Sequence, residues 1–286
     1  MSTPDQTTVR PARRRRLPAN AWLGGSLIAV VLIAAVMGVV WTPFDPLKIN
    51  FSARLKAPDW HFLLGTDEFG RDVLSRLLAG AASSVWISLL TVSFAVAVGT
   101  TVGVVTGFLR GWTDRIIMAF NNALLAFPGL LLALGLLAVV GANKYGIILA
   151  LGLAYTPSVT RIVRGTVLSL REREFIESSR VLGNSELYTM WRHVLPNCIA
   201  PLTVLATSMF GWVILAESAL SFLGLGVPPP APTWGNMLAA ARPFMAQAPY
   251  LSIFPGLCIS FTLLGINLLG DAVRDRLDPR MRGGGH

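Results

Sequence analysis

One acidic side chain stands alone in a long apolar stretch of this 286-residue sequence. Glu217 is the only acid, lysine or arginine between Arg192 and Arg242. If this stretch crosses a membrane, an acid at that depth costs about 2.5–3.5 kcal/mol, which a partner, water, a helix N-terminus or protonation must compensate. The carboxyl group could bind an amine or another cationic group of a ligand, or form a buried interhelical hydrogen bond. The residue types leave both hypotheses open.

A second candidate site lies in the polar connection from 165 to 196, which is too long for a simple turn between two spans. Its composition predicts two short helices. Gly183 is expected to end the first in the left-handed conformation, and Asn184 or Ser185 to cap the second, which ends near Pro196. The connection is therefore predicted to be a helical hairpin.

The first helix of this hairpin carries small side chains beside charged ones. Ser178 and Ser179 follow Glu177, and three arginines and a further glutamate flank them. Small side chains let a groove of another protein approach closely, so this surface suits docking to a cytoplasmic partner. An amphipathic hairpin that lies on the membrane is an equally supported interpretation.

The composition limits the class of protein that holds these residues. Hydrophobic residues make up 53% of the chain and charged residues 14%, and the mean hydropathy is +0.60. Soluble domains carry about 25% charged residues, so an ordinary water-soluble enzyme is excluded and contact with lipid is indicated. The net charge of +9 comes from basic residues in the N-terminal tail and beside apolar runs, which does not favour nucleic-acid binding.

Six apolar segments are long enough to cross the hydrocarbon, which takes about 20 helical residues. The predicted fold class is therefore all-α, a polytopic membrane protein with six transmembrane helices. Repeated Gly and Pro residues between Gly224 and Pro232 argue against a seventh span. The predicted spans are 22–42, 84–109, 116–140, 145–164, 197–220 and 251–270.

Lys and Arg concentrate in the N-terminal tail and in the connections after the second, fourth and sixth spans, which assigns both termini to the cytoplasm. Residues 1–20 are predicted to be a basic, disordered tail drawn to anionic lipid, and 273–286 a cytoplasmic C-terminal tail. Residues 21–80 hold the first span, an extracytoplasmic loop and an interfacial helix. The remaining spans lie in 81–272.

Two further features lie just before the second span and within it. The pattern at 72–80 predicts an interfacial helix, started by Thr66 or Asp67, that braces the outer mouth or seals the span ends. Small residues spaced four apart predict close helix contact, and we expect them to face helices of the same chain. These residues are Gly99, Gly103 and Gly107.

The loop from 224 to 250 begins with the rigid run Pro228–Pro230 and places apolar residues outside the membrane. Trp234 and Met237 would then be available to an external protein. The alternative is a loop packed against its own helices, with Trp234 as an interfacial anchor.

No residue pattern supports a bound cofactor, a metal or catalysis. A phosphate-binding G-x-x-x-x-G-K-[ST] loop needs lysine directly after glycine, whereas the three lysines follow Leu47, Leu55 and Asn143. The three histidines lie far apart and the two cysteines lie in apolar stretches, so no metal-ligand spacing results. The chain is therefore not expected to be an enzyme, and a membrane peptidase is disfavoured.

The hairpin residues resemble a known motif. The run Glu177–Ser179, Gly183 and the pair Leu195-Pro196 are similar to the cytoplasmic coupling motif of ABC importer permeases, a Glu-Ala-Ala stretch followed by Gly and a distal Ile-x-Leu-Pro. Serines replace both alanines, and His193 stands where that pattern has isoleucine.

Three further segments make the resemblance more specific. They are LGTDEFGRDVLSR at 64–76, LSFLGLG with PPPAPTWG within 220–235, and GD with LDPR within 270–280. They resemble the dipeptide/oligopeptide/nickel permease family, in particular its C-type subunit, and the resemblance covers about 45–282.

This resemblance implies a type I ABC importer transmembrane domain over 81–272, with the coupling hairpin at 171–195. The chain would be the permease subunit of an ATP-driven importer that moves peptides or a similar small solute across the bacterial plasma membrane by alternating access. Implied partners are a companion six-helix permease, two ATPase subunits that hold ATP-Mg, and an extracytoplasmic substrate-binding protein that contacts Trp234 and Met237. Apart from the resemblance, the isolated charge of Glu217 leaves its two hypotheses open: it would line the substrate path, or it would form a buried interhelical hydrogen bond. The implied coupling residues are Glu177, Ser178, Ser179, Gly183, Leu195 and Pro196.

A secondary transporter is the alternative function. Such a protein draws on an ion gradient and needs titratable or ion-coordinating groups near mid-membrane. Glu217 is the one residue predicted to qualify.

Overall fold

The computed structural model describes residues 19–277, and within that range the chain forms helices and no β-strand. The predicted tails lie outside the described residues, except that the first helix begins before residue 20 and the last continues past the predicted boundary at 272. The helices are α1 (Ala19–Val40), α2 (Val73–Leu109), α3 (Gly111–Leu125), α4 (Gly129–Val140), α5 (Lys144–Arg171), α6 (Glu174–Val181), α7 (Glu186–Thr189), α8 (Leu195–Phe222), α9 (Trp234–Ala241) and α10 (Tyr250–Leu277).

Among the described residues, five helical segments are long and apolar enough to cross a membrane, and a bent pair of helices makes a sixth when it is counted as one span. The five are α1, α2, α5, α10 and the continuous segment Glu186–Phe222. The prediction of an all-α membrane protein is confirmed, and its six spans correspond to these five segments and the bent pair.

The third predicted span, 116–140, is not a straight helix. α3 and α4 meet at an angle of 98° across a short break. Pro128 lies in this break, lacks an amide hydrogen and disfavours helical backbone at the residue before it, so one helix ends and another begins there. α3 is fixed to α5 by two hydrogen bonds that the Arg164 guanidinium donates to the Asp114 carboxylate, at 2.6 and 2.7 Å.

The second predicted span and the predicted interfacial helix form one element. α2 runs unbroken over 37 residues, about 54 Å at the rise of an α-helix. Asp72 caps it, since its carboxylate accepts from the Ser75 N–H at 2.8 Å. The prediction that Thr66 or Asp67 starts this helix is wrong because the preceding loop uses both side chains: Thr66 Oγ1 accepts from the Lys56 N–H at 2.9 Å, and Asp67 binds an arginine.

The glycine stripe of α2 packs against α5. A Cβ atom added at Gly99, Gly103 or Gly107 would lie 2.6, 2.8 or 2.9 Å from the nearest atom of α5. Such distances are shorter than any ordinary contact, so only glycine lets the two helices approach this closely. The prediction that this stripe faces the same chain is confirmed. α5 itself continues past its predicted end at 164 to Arg171.

Candidate functional site

The turn of the hairpin between α5 and α8 is built as the sequence predicts. Gly183 follows α6 with a φ of +78°, which glycine adopts without strain, and its N–H donates to the Arg180 carbonyl at 2.9 Å. Ser185 caps α7 by accepting from the Tyr188 N–H at 3.2 Å. The predicted roles of Gly183 in ending α6 and of Ser185 in capping α7 are confirmed.

The second hairpin helix does not end near Pro196. α7 continues through a wide π turn, Met190–Val194, directly into α8. The ring of a proline inside a helix crowds the carbonyl four residues earlier, here that of Arg192, and a wider turn relieves that crowding. The helix therefore passes the proline, and α7 and α8 form one rod that carries Leu195 and Pro196 along its length.

The predicted coupling residues divide between the surface and the inside of the hairpin. Five of them are exposed or half-buried: Glu177, Ser178, Gly183, Leu195 and Pro196. Ser179 is buried, its hydroxyl lies 2.9 Å from that of Thr189, and the Asn184 side-chain amide donates to it at 3.2 Å. Ser179 therefore joins α6 to α7, and the exposed surface begins with its neighbours.

Large apolar side chains extend this exposed surface. Ile176 is fully buried and anchors α6 in the core of the bundle, whereas Val181 and Leu182 are 83% and 80% exposed. Phe175 and Leu187 are exposed as well. A cluster of exposed apolar side chains in a polar segment marks an interaction site, so this exposed face of the hairpin fits a protein partner.

Glu217 is fully buried in α8. Its Oε1 accepts from the Ser221 hydroxyl, one turn later, at 2.8 Å. The Thr233 hydroxyl lies beside the carboxylate, but among the described residues no group has hydrogen-bonding geometry with Oε2. The Ser221 hydrogen bond lies within α8, whereas Thr233 belongs to the cap of α9. The carboxylate is therefore enclosed by the chain in this conformation and is not exposed to a path.

The loop after α8 packs against helices of the same chain. It contains the short helix α9, which was not predicted because several prolines precede it. Trp234 is 1% exposed, and its indole N–H donates to the Leu77 carbonyl of α2 at 3.1 Å. Met237 is also buried. The prediction that Trp234 and Met237 contact a binding protein is therefore wrong for this conformation, because both side chains lie inside the chain. The sequence signal for α9 is the capping box of Thr233 and Asn236.

A buried ionic cluster lies in the loop before α2 and in the first turn of α2. Residue spacing did not identify it as a site. We define it as Asp67, Glu68, Arg71 and Arg76. The Asp67 carboxylate accepts from Arg71 Nε at 2.7 Å and lies 3.3 Å from Arg76 Nε, and Glu68 lies 3.5 Å from the Arg71 guanidinium. Burial raises the pKa of the Glu68 carboxyl. The Tyr250 hydroxyl lies 2.8 Å from the Lys56 carbonyl oxygen and 3.0 Å from that of Thr66, which share its one hydrogen, and this contact ties the loop to α10. Acids and arginines close together between 67 and 76 are the signal in the sequence.

Comparison with known proteins relates this arrangement to transport. A family model described as the binding-protein-dependent transport system inner membrane component matches residues 99–283. A putative peptide transport system permease protein of Brucella suis is 40% identical over 98% of this chain and 93% of its own length. A dipeptide transport system permease protein of Alkalihalophilus pseudofirmus is 38% identical, covering 96% and 92%. A glutathione transport system permease protein of Escherichia coli is 38% identical, covering 98% and 92%.

One solved structure has a similar fold. The MetNI methionine ABC transporter in an inward-facing conformation matches with a TM-score of 0.57 and 18% sequence identity, over 71% of this chain and 96% of that chain. The likeness concerns the fold alone, and it confirms the predicted type I ABC importer transmembrane fold.

Proposed function

Because the chain belongs to the family of binding-protein-dependent transport system inner membrane components, we propose that it is the permease subunit of an ATP-driven importer that works by alternating access in the bacterial plasma membrane. The observation that best supports this proposal is the exposed face of the hairpin, where Glu177 and Ser178 lie beside the exposed Val181 and Leu182. A separate ATPase would dock there.

The hairpin is suited to pass on a movement of that ATPase. Ile176 fixes α6 in the core, Ser179 fixes α6 to α7, and α7 continues into α8 without a loop. A displacement of the hairpin would therefore rotate or tilt α8 directly. Two ATPase subunits would hold ATP-Mg, since this chain has no lysine directly after a glycine for a phosphate loop.

The other proposed partners follow from the geometry of a peptide-sized path. One chain with five or six spans is a small enclosure, so a companion permease would complete the path. Both termini and the hairpin would face the cytoplasm, as the distribution of Lys and Arg predicts. The loop at 43–72 and α9 would then form the extracytoplasmic surface on which a substrate-binding protein delivers cargo.

Peptides are the proposed cargo. The relatives described above are named for transport of peptides, dipeptides and glutathione, which share peptide bonds and charged termini. Glu217 could bind a peptide amine only in a conformation that exposes its carboxylate, since it is fully buried here. The family match gives no support to a secondary transporter driven by an ion gradient, and we do not adopt that alternative.

Purification of the intact membrane complex tests this function. We expect two ATPase chains and a second permease to copurify with this chain, and ATP hydrolysis to rise when a binding protein loaded with a peptide is added. The unloaded binding protein and a loaded binding protein for an unrelated solute are the controls. Uptake by purified chain in vesicles that needs no ATP and stops when the proton gradient is dissipated would contradict the proposal.

A further inference from the structure

Two arginines from different helices stack on one aromatic ring at the cytoplasmic end of α2. Phe108 lies in the last turn of α2 and is 2% exposed. The guanidinium carbons of Arg171 and Arg180 lie 5.4 and 5.9 Å from the centre of its ring. Arg171 also donates a hydrogen bond to the Phe108 carbonyl. Three elements, α2, α5 and α6, therefore meet at this residue, and we call the three side chains the aromatic clasp.

The clasp connects the hairpin to α2, a helix that the main chain does not join directly to the hairpin. α7 joins α8 through the main chain, whereas α2 is far from the hairpin in sequence and is contacted by Arg180 of α6. Arg171 is the last residue of α5, so the turn that leads into α6 is fixed to the same ring. A displacement of α6 must either carry Phe108 with it or separate the guanidinium groups from the ring.

α2 has the properties of an element that can transmit such a displacement. It is a single helix of 37 residues, and the glycine stripe holds it in close contact with α5, so the two helices are expected to move together. At its far end, Asp72 caps the helix beside the ionic cluster. Near that end it contacts Trp234 of α9 through the Leu77 carbonyl and through Ser84 Oγ, which accepts from the Trp234 N–H at 3.2 Å.

We propose that Phe108 is a positioning residue that transmits movement of the hairpin to α2, and through α2 to α9 and the ionic cluster at the outer end. This inference rests on the proposed function, because it needs an ATPase that moves the hairpin. It adds a second route of coupling beside the direct connection of α7 to α8. The attraction between a cation and an aromatic face maintains this route.

The properties of the ring distinguish this role from simple packing. Leucine at position 108 would keep an apolar side chain in the core, but it would lack the aromatic face on which both guanidinium groups stack. A residue that only fills space would tolerate that change with a small loss of stability. A residue that transmits movement through Arg171 and Arg180 would not.

The test uses the purified complex with its ATPase subunits and loaded binding protein. For Phe108→Leu we expect normal copurification and basal ATP hydrolysis, but about tenfold less stimulation by the loaded binding protein, since two cation–π contacts are lost. Trp112→Leu is the control for loss of a cation–π contact within one helix, because Arg115 stacks on the exposed Trp112 at 5.1 Å inside α3. This control should be stimulated like the wild type.

A second pair of variants keeps the test decisive if Phe108→Leu fails to fold. Arg180 is exposed on α6 beside the docking surface, so copurification is measured together with stimulation. Arg180→Gln should keep the ATPase subunits bound while it reduces stimulation, and Arg180→Lys should restore part of it because it keeps the cation. Wild-type stimulation in Phe108→Leu, or in Arg180→Gln where Phe108→Leu does not fold, would overturn the inference. Absence of ATPase subunits from the wild-type complex would instead refute the proposed function.

Discussion

At the end of the bundle that holds the ionic cluster, buried charged groups pair inside the chain, whereas at the opposite end most of the candidate coupling residues of the hairpin lie at the surface. Asp67 is buried between Arg71 and Arg76, and Trp234 is enclosed by α2 and its own loop. In the hairpin, by contrast, Glu177 is exposed beside large apolar side chains, of which Leu182 is an example. The charged and aromatic groups at the first end are therefore enclosed by the chain itself, and the hairpin surface is available to another protein.

This difference separates two kinds of residue. Substitutions in the ionic cluster or α9 should reduce the amount of folded protein, because they leave buried polar or charged groups without partners. Substitutions on the exposed face of the hairpin should leave folding unchanged and reduce only the coupling to ATP hydrolysis. Each of the following predictions tests one part of this distinction.

The largest effect is expected for Asp67→Asn. The change leaves the buried guanidinium groups of Arg71 and Arg76 without their central carboxylate, which costs about 3–5 kcal/mol for a broken buried pair. Thermal unfolding of the detergent-solubilised chain should show a strong decrease in Tm or no folded protein. Asp59→Asn is the control, since this exposed carboxylate accepts only from the loop N–H groups of His61 and Phe62. Equal Tm values for the two variants would contradict the self-contained outer end.

The contact between α2 and α5, which joins the two ends, is the next most sensitive. In Gly103→Ala the new methyl group would lie 2.8 Å from the Thr160 carbonyl and from Val163, and overpacking of this kind costs about 1–3 kcal/mol. Gly135→Ala, in α4 with no neighbouring atom within 4 Å, should be neutral or stabilise by about 0.5–1 kcal/mol. Tm measurements on both variants check this, and a neutral Gly103→Ala would show that the helices are further apart.

A smaller effect is expected for a conservative change at Glu217. In Glu217→Gln the amide oxygen can still accept from the Ser221 hydroxyl, so assembly and transport should both persist. Glu217→Leu removes the acceptor and should lower stability by about 1–3 kcal/mol. Uptake of labelled peptide by reconstituted complex, measured beside copurification, checks both variants. Normal assembly of Glu217→Gln together with lost uptake would assign the carboxylate to cargo binding.

The smallest effect concerns pH at the ionic cluster. Burial is the main cause that raises the pKa of Glu68 from its ordinary value of 4.5, so the folded chain holds this proton at a pH where the unfolded chain has released it. The contribution of Glu68 to stability therefore falls as the pH rises from 4.5 through the raised pKa. The Tm of Glu68→Gln relative to the wild type should increase over this interval. A difference that stays constant with pH would contradict the assigned burial of Glu68.

The sequence predicts what depends on neighbouring residues. The turn at Gly183, a cap at Asn184 or Ser185 and the glycine stripe are each visible in a short stretch of sequence, and the structure has them. Pro128 is visible in the sequence as a residue that can interrupt a helix. The hydropathy of 116–140, however, predicted a single straight span. The continuation of α7 past Pro196 was not predictable because the π turn that allows it leaves no sequence pattern.

Contacts between distant residues account for most of the remaining differences. Arg164 and Asp114 are 50 positions apart, and nothing near either residue indicates the other. The same holds for Phe108 and Arg180, and for Trp234, whose burial depends on Leu77 of α2. Residue types indicated which segments form the candidate surfaces. Which side chains of those segments are exposed depends on how the helices pack.

Cysteine crosslinking in native membranes tests the central claim, that the hairpin is the cytoplasmic docking surface of an ATPase, most directly. A background with Cys198→Ser and Cys258→Ser removes the two native thiols. Ser178→Cys in this background is predicted to crosslink to an ATPase subunit, whereas Trp60→Cys, at a 98% exposed position of the opposite loop, is predicted not to. Failure to crosslink at every position from 174 to 182, or a crosslink from position 60 to the same subunit, would contradict the account.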